Sequence, residues 1–114
     1  MNPDMLAALG EPNRFRIVEL LRTGPRSVND IVGRLKVRQS RVSQHLKVLK
    51  DVGLVAAEPQ AQQRLYALRA QPLKDLHDWL ERYRRIWEVR FEQLDELVEE
   101  LARKEKANAA GKNR

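Results

Sequence analysis

A mainly helical fold with one small β-hairpin, closed by a long C-terminal helix, is what this sequence predicts, and three observations carry that expectation. Residues 27–49, SVNDIVGRLKVRQSRVSQHLKVL, read as two short amphipathic helices joined by a tight basic turn. Residues 54–68 hold two short runs of strand-forming residues around a polar loop. From Pro72 to Leu101 apolar residues return every three or four positions, with no further Gly or Pro until Gly111.

The elements follow in order. Asp4–Gly10 reads as a short apolar helix (Met5, Leu6, Leu9) closed by glycine. Pro12 stands in the first turn of the next, where its missing N–H costs nothing. Phe15, Ile17, Val18, Leu20 and Leu21 offer core side chains before Thr23-Gly24-Pro25 ends that helix. Ser27 can cap the following helix, which runs from Ser27 or Val28 to Leu35, with Asp30 in its first turn and Val28, Ile31 and Leu35 at helical spacing. Its partner runs from Gln39 to about Val52 on a buried stripe of Val42, Leu46 and Leu49, and Gly53 stops it in the left-handed conformation. Residues 54–58 and 64–68 look like strands, the second alternating Leu65 and Ala67 against Tyr66 and Leu68. The intervening PQAQQ lacks the residues of a tight type I′ turn and so predicts a longer, mobile loop.

The closing helix carries Leu73, Leu76, Leu80, Tyr83, Trp87, Phe91, Leu94, Val98 and Leu101 in a heptad seam with one stutter at Trp87–Phe91. Residues 72–101 would extend about 45 Å as one helix, longer than so small a domain can cover, so part of the seam needs another chain. The expected dimer interface is Leu6, Leu9, Leu76, Trp79, Leu80, Tyr83, Trp87, Phe91 and Leu94. Trp79, Tyr83, Trp87 and Phe91 stand four apart, and a ligand pocket lined by the same rings is the alternative to a dimer core. This organisation makes residues 1–102 one domain, its C-terminal helix about 72–102, and leaves 103–114 as a basic, disordered tail without apolar periodicity.

Composition narrows the chemistry. In 114 residues there is room for a modest core, not for an elaborate buried active site. The net charge of +6 is unevenly placed: residues 1–71 hold 12 Lys and Arg against 6 Asp and Glu, whereas residues 72–101 hold 5 against 9. Between 34 and 50 stand Arg34, Lys36, Arg38, Arg41, Lys47 and Lys50 with no acid, a cluster that a duplex would attract through its phosphates. There is no cysteine, no secretory signal and no membrane-length apolar run, and the chain reads as soluble and cytoplasmic.

The second helix of the pair offers Arg38, Gln39, Ser40, Arg41, Ser43, Gln44, His45 and Lys47 away from its buried stripe. That composition suits the major groove, where Arg donates to guanine, Gln pairs with adenine and Ser serves base or phosphate. A hairpin following such a helix is a wing, and its tip brings Gln60, Gln62, Gln63 and Arg64 towards a neighbouring phosphate or minor groove. The fold expected is thus a winged helix-turn-helix with a long C-terminal dimerisation helix, and the function implied is sequence-specific binding of double-stranded DNA. The competing reading is a module that coats DNA without reading sequence, or one that binds protein. The amide and hydroxyl cluster weighs against coating, because it adds little to phosphate attraction. Catalysis has nothing to work with: Ser43 and His45 point about 200° apart on a helix, and there is no glycine-rich phosphate loop and no histidine cluster.

MLAALGEPNRFRIVELL, SVNDIV, QSRVSQHLKVLKDVGLV and RLYAL, spread over residues 5–69, together resemble the ArsR family of winged-helix repressors. The pattern SxHLxxLxxxGLV behind LAALGxPxRxxIxxLL is quite specific, and the resemblance covers more than half of the chain. It implies a homodimeric repressor on an operator of dyad symmetry, with Gln39, Ser40, Arg41, Ser43, Gln44 and His45 facing the groove and Arg64 on the wing. One departure is Arg38, where the family commonly has Ser or Thr: a helix cap is lost, and a guanidinium able to reach a phosphate takes its place. Metal-responsive members carry thiolates where this chain has Ser27 and Asn29, neither a usable soft ligand. Others use paired His and carboxylates on the C-terminal helix; here His77 is the single histidine of that helix, near Asp75, Asp78 and Glu81, which leaves a weak surface site as the alternative. The expectation is no metal and no cofactor, in keeping with a metal-independent branch that the aromatic C-terminal helix resembles. No effector is named by the sequence.

Overall fold

Local chemistry at the helix ends sets the layout of the chain. The computed structural model describes the backbone of residues 2–112 and the side chains of 2–109. The Asn2 side chain accepts from Asp4 N (2.9 Å) to open α1 (Pro3–Leu9), and Glu11 accepts from Arg14 N (2.8 Å) to open α2 (Pro12–Leu21). After the two-residue strand β1 (Arg26–Ser27), Ser27 Oγ accepts from Asp30 N (3.2 Å) and caps α3 (Val28–Leu35), the cap expected of it. Arg38 opens α4 (Gln39–Asp51) with no side-chain capping bond. Gly53, at φ +82°, closes α4: Leu54 N bonds Leu49 O (2.9 Å) and Gly53 N bonds Lys50 O (3.0 Å), the paired pattern of a Schellman end.

The strands β2 (Val55–Gln60) and β3 (Gln63–Leu68) form an antiparallel hairpin running from Val55↔Leu68 to Gln60↔Gln63. β1 pairs with the other edge of β3 through Arg26↔Tyr66 and Ser27↔Leu65, giving the order β1-β3-β2. Two residues are too short a run for periodicity to reveal, so this third strand is absent from the sequence-based expectation. Its consequence is structural: the start of α3 is fastened to the hairpin. The core lies between the helices and this sheet, with Ile17, Ile31, Val42, Leu46, Leu49 and Leu54 all at 0% exposure. Each such side chain contributes roughly 1.5–3 kcal/mol by leaving water. The predicted stripe of α4 is therefore the centre of the core. Phe15, expected inside, is instead 53% exposed, while Ile17 and Leu21 carry the inner face of α2.

The hairpin tip departs from the expected long loop. Gln60 and Gln63 pair, leaving Ala61 and Gln62 as the turn, and Ala61 adopts φ +56°. A non-glycine residue in that region costs about 1–2 kcal/mol, and the sequence holds no Gly or Asn there to announce it.

The C-terminal segment is two helices, not one: α5 (Ala70–Glu81) and α6 (Arg84–Lys112). At the break the backbone tightens to three-residue bonds, Arg82 N to Trp79 O (3.2 Å), Tyr83 N to Leu80 O (3.0 Å) and Ile86 N to Tyr83 O (3.0 Å). Trp79 and Tyr83 meet edge to face there, centroids 5.1 Å apart at 61°. Neither Gly nor Pro marks the spot, so the apolar periodicity runs through it, and α6 passes the expected stutter at Trp87–Phe91 unbroken. α6 also continues to Lys112 rather than ending near 102; Arg, Lys, Glu and Ala favour helix, and Lys104 Nζ lies 3.7 Å from Glu100 Oε1 one turn earlier. Asn113 and Arg114 of the expected tail lie outside the described residues. The chain divides into two compact units, residues 1–77 and 78–114, with the boundary inside α5.

Candidate nucleic-acid interface

The turn between α3 and α4 is closed by Lys36, which takes the left-handed conformation (φ +56°) and bonds Val32 O through its N–H (2.9 Å). In front of it, Asp30 accepts from Arg26 Nη1 (2.7 Å) and Arg34 Nε (3.2 Å), while Arg26 Nε donates to Leu20 O (3.1 Å). The hydrogen bond from Arg26, backed by Arg34, holds the Asp30 carboxyl below its ordinary range, although desolvation works the other way. Arg34 is thus partly neutralised by an acid one turn earlier, so it adds less to the basic cluster than its place in the sequence suggests.

Beyond the turn the basic and amide side chains are presented outwards. Arg38, Gln39, Ser40, Arg41, Ser43, Gln44 and Lys47 are all exposed. At about 100° per residue, Ser40, Arg41, Ser43, Gln44 and Lys47 fall on the side of α4 away from Val42, Leu46 and Leu49. Gln62 and Arg64 are exposed at the hairpin. A shallow cavity of about 180 Å³ joins the two parts of the site: Ser27 of β1, Asn29 of α3, Gln39 of α4, and Gln62 and Arg64 of the hairpin all line it. The fastening of α3 to β3 through β1 is what brings them together. Gln63, expected at the wing tip, lines this cavity as well, and so does Asn29; Lys50 is exposed near the end of α4. Lys50 already stood in the basic cluster, whereas Asn29 carried no signal beyond polarity.

His45 is placed differently from the groove-facing position expected of it. Its side chain is 15% exposed and turned towards α2, with Nδ1 3.7 Å from Glu11 Oε2 and 3.4 Å from Arg14 Nη1. The reason is angular: on the helical projection His45 lies next to the Val42–Leu49 stripe, a fact available from sequence. Desolvation pushes the Glu11 carboxyl up, but the hydrogen bond from Arg14 N and the charges of His45 and Arg14 outweigh it and hold the group below the ordinary glutamate range.

Of the residues expected at a dimer interface, Leu9 and Leu76 are half-buried and pack on the core, and Leu6 is 37% exposed. Trp79 is half-buried, while Leu80, Tyr83, Trp87, Phe91 and Leu94 are exposed. Ile86, Val89 and Leu97, adjacent to the seam and not assigned to it, are exposed as well. Among the described residues no three His, Cys, Asp or Glu side chains gather as a metal site would need, and no helix is long and apolar enough to cross a membrane.

A helix pair whose second member turns a basic, amide-rich face outwards beside a β-hairpin is a winged helix-turn-helix, the architecture of DNA-binding transcription regulators. The chain belongs to the arsR family of bacterial regulatory proteins, whose pattern residues 11–57 match. It is 41% identical over 76 residues to the HTH-type transcriptional regulator Rv2034 of Mycobacterium tuberculosis, 67% of this chain and 71% of that one. To the HTH-type transcriptional repressor SmtB of the same organism it is 45% identical over 65 residues, 57% of this chain and 48% of the repressor, so it spans about half of that relative's length. Among solved structures, the homodimeric winged helix-turn-helix DNA-binding domain of Mb0332 from Mycobacterium bovis matches with a TM-score of 0.60 at 25% identity, over 69% of this chain and 73% of that one.

Proposed function

We propose that this chain is a sequence-specific, homodimeric repressor of transcription that sets one α4 in each of two major grooves of an inverted-repeat operator. The observation that carries the reading is the outward face of α4, where Arg41 and Gln44 can each make paired hydrogen bonds to a base edge. Arg38, Lys47 and Arg64 supply phosphate contacts that fix register. The repressor SmtB among its relatives supports the direction of regulation, and the homodimeric Mb0332 domain supports the assembly. So does the row of exposed apolar side chains from Leu80 to Leu101, which one chain leaves in water.

Selection of duplexes from a random-sequence pool tests this. The expected outcome is an enriched inverted repeat with half-site centres about 10–11 base pairs apart, or a multiple of that. A pool that stays unenriched while still being bound would favour a DNA-coating module instead.

The wing makes a separate contribution. Arg64→Ala is expected to weaken binding to all duplexes about equally and to reduce the slope of log affinity against log salt by about one phosphate's worth. An unchanged slope in salt titrations would remove Arg64 from the interface.

Regulation by metals is not expected. Ser27 and Asn29 offer no thiolate at the cavity they line, so stoichiometric Zn(II), Cd(II) or As(III) should leave affinity for the selected duplex unchanged. Metal-driven release that disappears in His77→Ala would overturn this, and would place a carboxylate-rich site around Asp75 and Asp78.

A further inference from the structure

We infer that His45 acts on DNA at one remove: it holds α4 against α2 through Glu11 and Arg14, and so fixes the rotation at which Ser40, Arg41 and Gln44 meet the groove. The inference rests on α4 being the DNA-reading helix. The stripe of Val42, Leu46 and Leu49 anchors α4 by depth, but apolar contacts are non-directional and resist rotation only through packing. His45 supplies direction. Its Nδ1 faces two groups at once, Glu11 Oε2 at 3.7 Å and Arg14 Nη1 at 3.4 Å. With Nδ1 bare the ring accepts from Arg14 at that nitrogen, and with Nδ1 carrying a proton it faces the Glu11 carboxylate, so either state has a partner.

Those partners are themselves held. Glu11 accepts from Arg14 N at 2.8 Å as the cap of α2, and Arg14 Nε donates to Ala8 O at 2.8 Å near the end of α1. The imidazole is therefore tied to the junction of two helices rather than to a loose side chain. The distances involved make rotation matter. With side chains reaching about 5–6 Å from a helix axis, a turn of about 20° moves their tips by about 2 Å, enough to spoil a bidentate hydrogen bond.

The test compares a duplex selected by the parent protein with unselected random duplex, each affinity corrected for the folded fraction from a thermal melt. His45→Ala is expected to lose about tenfold on the selected duplex and less than about twofold on the random one, because phosphate contacts tolerate the rotation. His45→Gln, whose amide can both accept and donate, should recover most of that loss. Glu11→Gln keeps the capping acceptor but removes the charge; it should also lower discrimination, and combined with His45→Gln it should cost less than the two changes added separately. Equal losses on both duplexes would make His45 a phosphate contact. A selective loss in His45→Ala with Glu11→Gln unaffected would make it a direct base reader, and no loss at all would remove it from DNA binding; each of these overturns the inference. A parent protein that fails to distinguish selected from random DNA would instead overturn the sequence-specific reading on which this rests.

Discussion

Leu46→Ala is expected to cost about 3 kcal/mol of unfolding free energy, within the range for removing a buried leucine side chain. Leu46 is 0% exposed, in the middle of α4 and in the core with Ile17, Ile31 and Leu49. Its loss leaves a cavity where helices from three parts of the chain converge, and the surroundings can close it only by moving α4. In a unit of this size the melting temperature should fall by more than about 10 °C. A melt within a few degrees of the parent would mean that α4 is not anchored through this stripe. DNA affinity measured well below the lowered melting temperature should be affected less than stability, since the side chain faces away from the proposed groove contacts.

Trp87→Ala is the second large effect, and it falls on assembly. Trp87 is 39% exposed in the single chain, and its neighbours at helical spacing, Tyr83, Phe91 and Leu94, are exposed too. In the proposed homodimer these rings are buried, and truncating a buried Trp costs about 3–5 kcal/mol. The dimer contains the residue twice, so sedimentation should find the variant monomeric at concentrations where the parent is dimeric. Affinity for an inverted repeat should fall with it, because two recognition helices no longer arrive together. A variant that remains dimeric with full affinity, yet no longer responds to a small apolar ligand that releases the parent, would make the aromatic stripe a sensor pocket.

How far these features are legible in the sequence depends on how local their causes are. Ser27, Gly53 and the Val42–Leu46–Leu49 stripe act within one or two turns of chain, and each is found where capping chemistry and helical period place it. The tight hairpin is hidden because its turn uses Ala61 in a backbone conformation that alanine disfavours. β1 is hidden because its pairing partner lies forty residues away along the chain and only two residues take part. The break between α5 and α6 leaves no trace in composition: neither Gly nor Pro stands at Arg82 or Tyr83, and the apolar period runs through the tightened backbone bonds around them. In the candidate site, the exposed residues of α4 can be read directly from the face opposite the apolar stripe. The same projection places His45 beside that stripe, where its angle outweighs its polarity. What no sequence pattern supplies is the neighbourhood of Gln39, Gln62 and Arg64, which exists because β1 ties α3 to the wing.

The central claim is that α4 reads bases and does not merely bind backbone, and Arg41 carries its most direct test. Arg41 is exposed on the outward face of α4, where a guanidinium can donate two hydrogen bonds to a guanine. The measurement is the ratio of affinities for a selected duplex and for random DNA, at one fixed salt concentration, in the parent and in Arg41→Ala. The expected result is a loss of about 1–3 kcal/mol on the selected duplex with binding to random DNA nearly unchanged, so that the ratio collapses. An equal loss on both duplexes, leaving the ratio intact, would show that Arg41 touches only phosphate and would contradict the account.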